Sequence, residues 1–248
     1  MTTQTIMGTV ALVTGANRGL GRALTEELLN RGVKKLYAAA RDPQALQGLS
    51  DDRVVGLRLD VTDDDQVRGA MEAASDVEIV FSNAGLALGT AIVGSSVLDQ
   101  AKREMEVNYF GPLRLLQRVA PTLARNGGGA FVTVASVAGL TNVPFLPTYA
   151  ASKAALHSLT QAARVLLAAQ ETSVIGVYPG PIDTDMSRAL AIPKTSARDV
   201  AIAILEGLEA GQEDILPDAF ALEFGRSFEA SPKTSERQVA AMMLAAAA

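Results

Sequence analysis

Residues 9–21 read TVALVTGANRGLG, an apolar run that ends in a turn holding Gly15, Gly19 and Gly21. A short apolar run closed by glycines reads as a buried strand, and the stretch over residues 19–31 that follows has helical periodicity. Glycines at a strand-to-helix corner let the backbone approach a pyrophosphate, and the free N–H groups and dipole of the next helix favour an anion there. The spacing is G-x-x-x-G-x-G, not the G-x-G-x-x-G of the common dinucleotide fingerprint. Three glycines in a turn are also ordinary loop chemistry. The strand before and the helix after favour phosphate binding.

Outward from this corner, apolar runs alternate with helical patterns. The runs are TVALVTG, KKLYAAA, RVVGLRLD, VEIVFSN, GAFVTVAS, TSVIGVYPG and a short EDILP; helices are expected near residues 19–31, 63–74, 97–125, 149–170 and 196–209. This rhythm predicts an α/β fold with a mostly parallel sheet whose strands are buried on both faces. The expected architecture is one doubly wound Rossmann-type domain over residues 1–248, with a seven-stranded sheet and helices on both sides. Residues 219–248 read as a peripheral C-terminal segment with a fraying alanine tail.

Composition narrows the chemistry. Hydrophobic residues make up 48% and charged residues 20%, a globular balance. A formal charge of −5 without a basic block argues against a nucleic-acid or anionic-membrane partner. The chain has no cysteine and one histidine, which removes thiol nucleophiles, disulfides and the usual zinc sites, so no metal is expected. No apolar run approaches the ~20 residues that span a bilayer, and the early VALV is too short for a signal-peptide core. A cytoplasmic protein is expected.

The end of the second strand bears on cofactor choice, because NAD users place an acid there against the ribose hydroxyls. The chain reads Ala39, Ala40, Arg41, Asp42, Pro43. Asp42 is either that acid or, with Pro43, the cap of a short helix. Arg41 and Arg18 suit a 2′-phosphate, which favours NADPH over NADH; the alternative is two solvated surface arginines. Asp60, closing the third strand, either meets the adenine or caps the next helix.

Taken in order, TGANRGLG at 14–21, DVT at 60–62, SNAG at 82–85, VNYFG at 107–111, Ser136, YAASK at 149–153 and YPGPIDT at 178–184 resemble the short-chain dehydrogenase/reductase superfamily, in its compact, carbonyl-reductase-like branch. The likeness spans about residues 8–216, and it departs at Ser82, where the family often has asparagine. The resemblance implies dinucleotide contacts from Gly15, Asn17, Arg18, Gly19, Leu20 and Gly21, from Arg41, Asp60 and Val61, and from Asn83, Ala84 and Gly85. It adds Pro179, Gly180, Ile182 and Thr184 around the nicotinamide, and Tyr149 and Lys153, which also belong to the implied catalytic set with Asn108 and Ser136.

Tyr149 and Lys153, four apart on a helix, share one face about 6 Å apart along the axis. A tyrosine ordinarily ionises near 10, and the ammonium with a positive nicotinamide is expected to lower that value and make Tyr149 a general acid for ketone reduction and a base for alcohol oxidation. Ser136, at the carboxyl end of a strand, either bonds the substrate oxygen or simply caps the strand end. Asn108 precedes Pro112 by four residues, so its carbonyl lacks the usual helical donor; the resemblance implies that it holds a relay water for Lys153. His157, one turn beyond Lys153, reads as packed rather than catalytic.

The expected reaction is reversible hydride transfer from NADPH to a ketone or aldehyde. The alternatives are an epimerase or dehydratase of the extended branch, which carries an extra substrate domain, and a catalytically silent dinucleotide sensor. Substrate choice is expected from loops 86–96, 140–147 and 185–195, whose Val143, Phe145, Leu146, Met186, Leu190 and Ile192 suggest an apolar small molecule. The excess of Ala, Leu and Val over residues 97–125 and 149–170 suggests a homodimer or homotetramer.

Overall fold

In the computed structural model, which describes residues 4–88 and 92–246, Val10–Thr14 forms strand β1, buried along its whole length. Residues 89–91, inside one loop expected to set substrate choice, and 247–248 of the alanine tail lie outside the described residues. The chain then runs through α1 (Gly19–Asn30), β2 (Lys35–Ala40), β3 (Val54–Arg58), α2 (Asp64–Ala73), β4 (Ile79–Ser82), α3 (Val97–Met105) and α4 (Gly111–Arg125). It continues through β5 (Gly129–Val134), α5 (Pro147–Leu167), β6 (Thr172–Val177), β7 (Ile182–Asp183), β8 (Thr195–Ser196), α6 (Ala197–Glu209), β9 (Asp214–Ile215), α7 (Ala219–Ala230) and α8 (Pro232–Ala246).

Seven strands form one sheet in the order β3-β2-β1-β4-β5-β6-β9, and each neighbouring pair is parallel. The order reverses between β1 and β4, and open α/β sheets bind ligands beyond the strand ends at such a point. Alternate residues of β1 face opposite sides: Ala11 and Val13 pack with Leu24 and Leu28 of α1 and Ile204 of α6, whereas Val10 and Leu12 pack with Val67 of α2 and Leu115 and Val119 of α4. Two apolar layers therefore sandwich the sheet, as a doubly wound fold requires.

Two expectations change. Strand β3 is not buried on both faces; it is the sheet edge, and Val55 there is 39% exposed. The single helix expected over 97–125 is divided by a π-helical turn, Glu106–Phe110, in which the Gly111 amide reaches back to the Glu106 carbonyl. Pro112 has no N–H to give, and one extra residue in the turn accommodates that gap. In the C-terminal segment, Ala221, Phe224 and Val239 are buried against Val137, Leu156 and Tyr178. No helix among the described residues is long and apolar enough to cross a membrane.

Candidate active site

The glycine turn is too tight for side chains. Gly15 has φ +69, a left-handed value that favours glycine, and a Cβ on Gly21 would fall 2.1 Å from the Gly15 carbonyl oxygen. The N-cap of α1 is Arg18, which makes no side-chain cap, and the first turn holds no acid. Asp63, Ser196 and Asp218 do cap α2, α6 and α7 through backbone amides. The amides of α1 are thus left for an outside anion, as a bound pyrophosphate requires.

Thr14, to which the sequence assigned no role, locks this corner. Its Oγ1 accepts from the amides of Asn83 and Ala84, both at 3.0 Å, and its carbonyl accepts from Asn83 Nδ2 at 2.8 Å. The ends of β1 and β4 are joined at the point where the strand order reverses. Its place at a strand end, facing a polar loop, was the only sequence signal.

At the end of β2, Asp42 is a cap: its carboxylate accepts from the Gln44 amide at 3.0 Å. Arg41 is exposed beside it and enters no ion pair among the described residues. Arg18 does not join it; its guanidinium turns to Asp185 at 3.4 Å, an exposed pair of little strength. Asp60 is not the cap of α2 either, since Asp63 fills that place, and one Asp60 oxygen accepts from the Thr62 amide and hydroxyl at 2.9 and 2.8 Å.

Ser136 follows β5 and Tyr149 stands in the first turn of α5, beneath the carboxyl edge of the sheet. Ser136 Oγ accepts from the Ala138 amide at 3.2 Å and donates to the Pro179 carbonyl at 3.4 Å, so it caps the strand end and also lies against Tyr149. Burial pushes the Tyr149 phenol up to about 12; the Ser136 hydroxyl pulls it down, and the Glu104 charge pushes it further up. The direction is opposite to that expected from Lys153 with a positive nicotinamide, because loss of water around a phenolate disfavours its charged form. Lys153 Nζ lies 5.7 Å from the Tyr149 ring centroid and donates to the Val134 carbonyl at 2.7 Å. Burial lowers that ammonium to about 8.

Asn108 sits behind the cleft. Its Oδ1 accepts from the Leu86 amide at 2.8 Å, and its Nδ2 donates to the Leu86 carbonyl at 2.7 Å and to Ser152 Oγ at 2.9 Å. Ser152 in turn donates to the Tyr149 carbonyl at 2.7 Å, so it braces Asn108 against the Tyr149 helix. His157 is a packing residue: its Nδ1 is 2.7 Å from the buried Tyr178 hydroxyl, and burial lowers its ionisation.

The other named dinucleotide and catalytic positions, from Gly15 to Thr184, line one cleft of about 840 Å³. Val143, Phe145, Leu146, Met186, Leu190 and Ile192 continue its wall as expected. Phe220, Phe224, Val239 and Met242 complete it from α7 and α8. Those four were missed, although the i, i+4 pair Phe220 and Phe224 after the Asp218 cap was a readable amphipathic signal; the rings stack with centroids 6.0 Å apart.

Known proteins share this architecture. The sequence profile of the short chain dehydrogenase family matches residues 9–194, and the chain belongs to that family. An uncharacterized oxidoreductase of Staphylococcus aureus is 31% identical over 210 residues, covering 80% of this chain and 90% of that one. A short chain dehydrogenase of Burkholderia cenocepacia, solved in complex with NADP, superposes with a TM-score of 0.90 at 39% identity, covering 95% of this chain and 99% of that one. A short chain dehydrogenase/reductase of Burkholderia phymatum, solved in complex with NAD, gives 0.80 at 28% identity over 90% and 93% of the two chains. The protein is an oxidoreductase of the nicotinamide-dinucleotide class.

Proposed function

We propose that the protein reduces apolar ketones or aldehydes with NADPH, and runs the reverse alcohol oxidation, with Tyr149 as general acid and base. One observation carries this reading: a single cleft joins the uncapped α1 terminus, the Ser136, Tyr149 and Lys153 group, and an apolar wall. The α1 amides with Asn17, Gly19 and Leu20 suit the pyrophosphate, Arg41 the 2′-phosphate, Asp60 and Val61 the adenine, and Asn83 to Gly85 with Lys153 the riboses. Pro179, Gly180, Ile182 and Thr184 suit the nicotinamide. The NADP-bound Burkholderia cenocepacia relative is more similar to this chain than the NAD-bound Burkholderia phymatum one, which supports NADPH.

When bound, NADPH would supply the hydride. Tyr149, held protonated by burial, gives its phenolic proton to the carbonyl oxygen, and Ser136 donates a second hydrogen bond to it. Lys153 replenishes the proton, and the Asn108 main-chain carbonyl links Lys153 to solvent through water. An apolar wall gains about 25 cal/mol for each Å² of apolar substrate it takes from water, whereas an unpaired substrate carboxylate there costs energy. Exposed Val165 and Leu166 on α5, at 77% and 76%, and Leu98 on α3, at 65%, support burial between subunits of a homodimer or homotetramer.

The test is kcat/KM with NADPH and NADH over aryl and alkyl ketones, 2-keto acids and 3-ketoacyl thioesters. Apolar ketones with NADPH are expected to lead. Preference for either charged class contradicts the substrate reading, and equal use of both cofactors contradicts the NADPH reading.

A further inference from the structure

Strands β6 and β9 leave the carboxyl edge of the sheet side by side. They pair with Val177 opposite Ile215, and three residues beyond each of these stand Gly180 and Asp218. Gly180 lines the cleft; Asp218 does not. Asp218 is 6% exposed, and both of its carboxylate oxygens are bonded. Oδ1 accepts from the Ala221 amide, which caps α7, and Oδ2 accepts from the Gly180 amide, each at 2.8 Å. A helix cap needs only the first of these bonds. The cap of α2, Asp63, bonds within its own helix.

The second bond matters because of the residues around it. Pro179 and Pro181 have no N–H, so the Gly180 amide is the one main-chain donor in the turn 179–181, and it goes to Asp218. The approach is close enough to require glycine. A Cβ on Gly180 would stand 2.7 Å from Asp218 Oδ1 and 2.8 Å from Phe220 Cδ1, well inside the carbon contact distance of about 3.5–4.0 Å. The Phe220 ring therefore packs directly on the turn, and it is part of the cleft wall. The turn also meets the catalytic group: the Pro179 carbonyl accepts from the Val137 amide at 3.2 Å and from Ser136 Oγ at 3.4 Å. A continuous path of contacts thus runs from Ser136 through Pro179 and Gly180 to Asp218 and Phe220.

We propose that Asp218 is a positioning residue: by tying the turn 179–181 to the head of α7, it sets the spacing between the nicotinamide side of the cleft and the Phe220 wall, and with it the distance over which hydride passes. This rests on the reductase reading, in which the nicotinamide lies against Pro179, Gly180, Ile182 and Thr184. A cofactor held mainly at the α1 terminus keeps its affinity when this brace is lost. The damage falls on hydride transfer, because a misplacement of 1 Å costs about 100-fold in rate.

The experiment compares the wild type with Asp218→Ala and Asp218→Ser. Alanine loses both bonds. Serine still caps a helix, but its side chain is one atom shorter and ends in a single oxygen, so the Gly180 amide is left unbonded. Single-turnover loss of NADPH absorbance with an aryl ketone reads hydride transfer, calorimetric titration reads NADPH affinity, and thermal unfolding reads stability. Hydride transfer is expected to fall by about 10- to 100-fold in both variants, with NADPH affinity held. Asp218→Ser is expected to recover part of the Tm lost in Asp218→Ala and none of the rate. A rate that follows Tm back up in Asp218→Ser overturns the proposal, as does a loss of rate in that variant smaller than about ten-fold, or an NADPH affinity that falls as far as the rate. A wild type that passes no hydride from NADPH to any carbonyl overturns the reductase reading and this proposal with it; a competent wild type beside an unimpaired Asp218→Ser overturns the proposal alone. If Asp218→Ser loses its fold, Asp218→Asn offers one oxygen to two amides and breaks the bridge at one end, and the same loss of hydride transfer sustains the proposal. Loss of fold in both makes Asp218 a structural clamp and overturns it.

Discussion

Gly21→Ala adds one methyl where the glycine turn folds back on itself. That carbon would sit 2.1 Å from the Gly15 carbonyl oxygen and 2.5 Å from Asn83 Nδ2. Carbon and oxygen in contact stand about 3.3 Å apart, so the turn must open by about 1 Å. Neither neighbour yields easily, because Asn83 Nδ2 is already bonded to the Thr14 carbonyl. Overpacking of this kind costs about 1–3 kcal/mol, and in a chain of this size each kcal/mol moves Tm by roughly 2–4 °C. Tm is therefore expected to fall by about 2–12 °C. A 1 Å shift of a positioning element costs about 100-fold in rate, so kcat/KM with NADPH should drop by about that factor. Gly69→Ala is the control: it lies exposed inside α2, its Cβ would meet nothing within 4 Å, and alanine favours a helix by about 0.5–1 kcal/mol. Its Tm should rise by about 1–4 °C with activity unchanged. Differential scanning calorimetry and steady-state kinetics read both. A Gly21→Ala protein with wild-type Tm and kinetics refutes the tight-turn reasoning.

Arg41→Ala should weaken NADPH binding by about 10- to 100-fold, since a hydrogen bond to a charged group is worth roughly 1.5–3 kcal/mol, and should leave NADH binding unchanged; equal loss for both, in a titration calorimeter, contradicts the 2′-phosphate role. Lys153 is held at about 8, below its ordinary 10.5, so the folded state releases this proton first and the unfolded chain binds more protons between those values. Stability of the wild type relative to Lys153→Met should therefore rise with pH from about 8 to about 10.5 and stay flat below; a fall across that window in pH-dependent denaturation refutes the burial argument. Val165→Asp with Leu166→Asp should split the assembly and lower the mass seen by light scattering, and a dilute wild-type mass of 25.9 kDa contradicts the oligomer.

Features legible in the sequence were those whose cause is local. The glycine turn, the YAASK spacing and the sheet rhythm each follow from a few adjacent residues, and the fold agrees with them. Thr14, Ser152 and Asp218 act on partners many positions away, through Asn83, Asn108 and Gly180, so no short window reveals them. The rise of the Tyr149 phenol depends on how much water the fold removes, which spacing to Lys153 does not encode. Edge strand β3 misled because its apolar run resembles a central one, although only its place in the sheet order decides burial. The cleft contribution of Phe220, Phe224, Val239 and Met242 was not legible because these helices follow the last motif and meet the cleft only through the fold.

The most direct measurement is kcat for Tyr149→Phe with NADPH and an aryl ketone, alongside NADPH affinity. Phenylalanine keeps the ring that packs in the cleft and removes only the transferable proton. Positioned acid catalysis contributes about 10²- to 10⁴-fold, so kcat should fall by at least the lower factor while NADPH affinity stays within about two-fold. If kcat survives within a few-fold, the proton comes from another group and Tyr149 is not the acid.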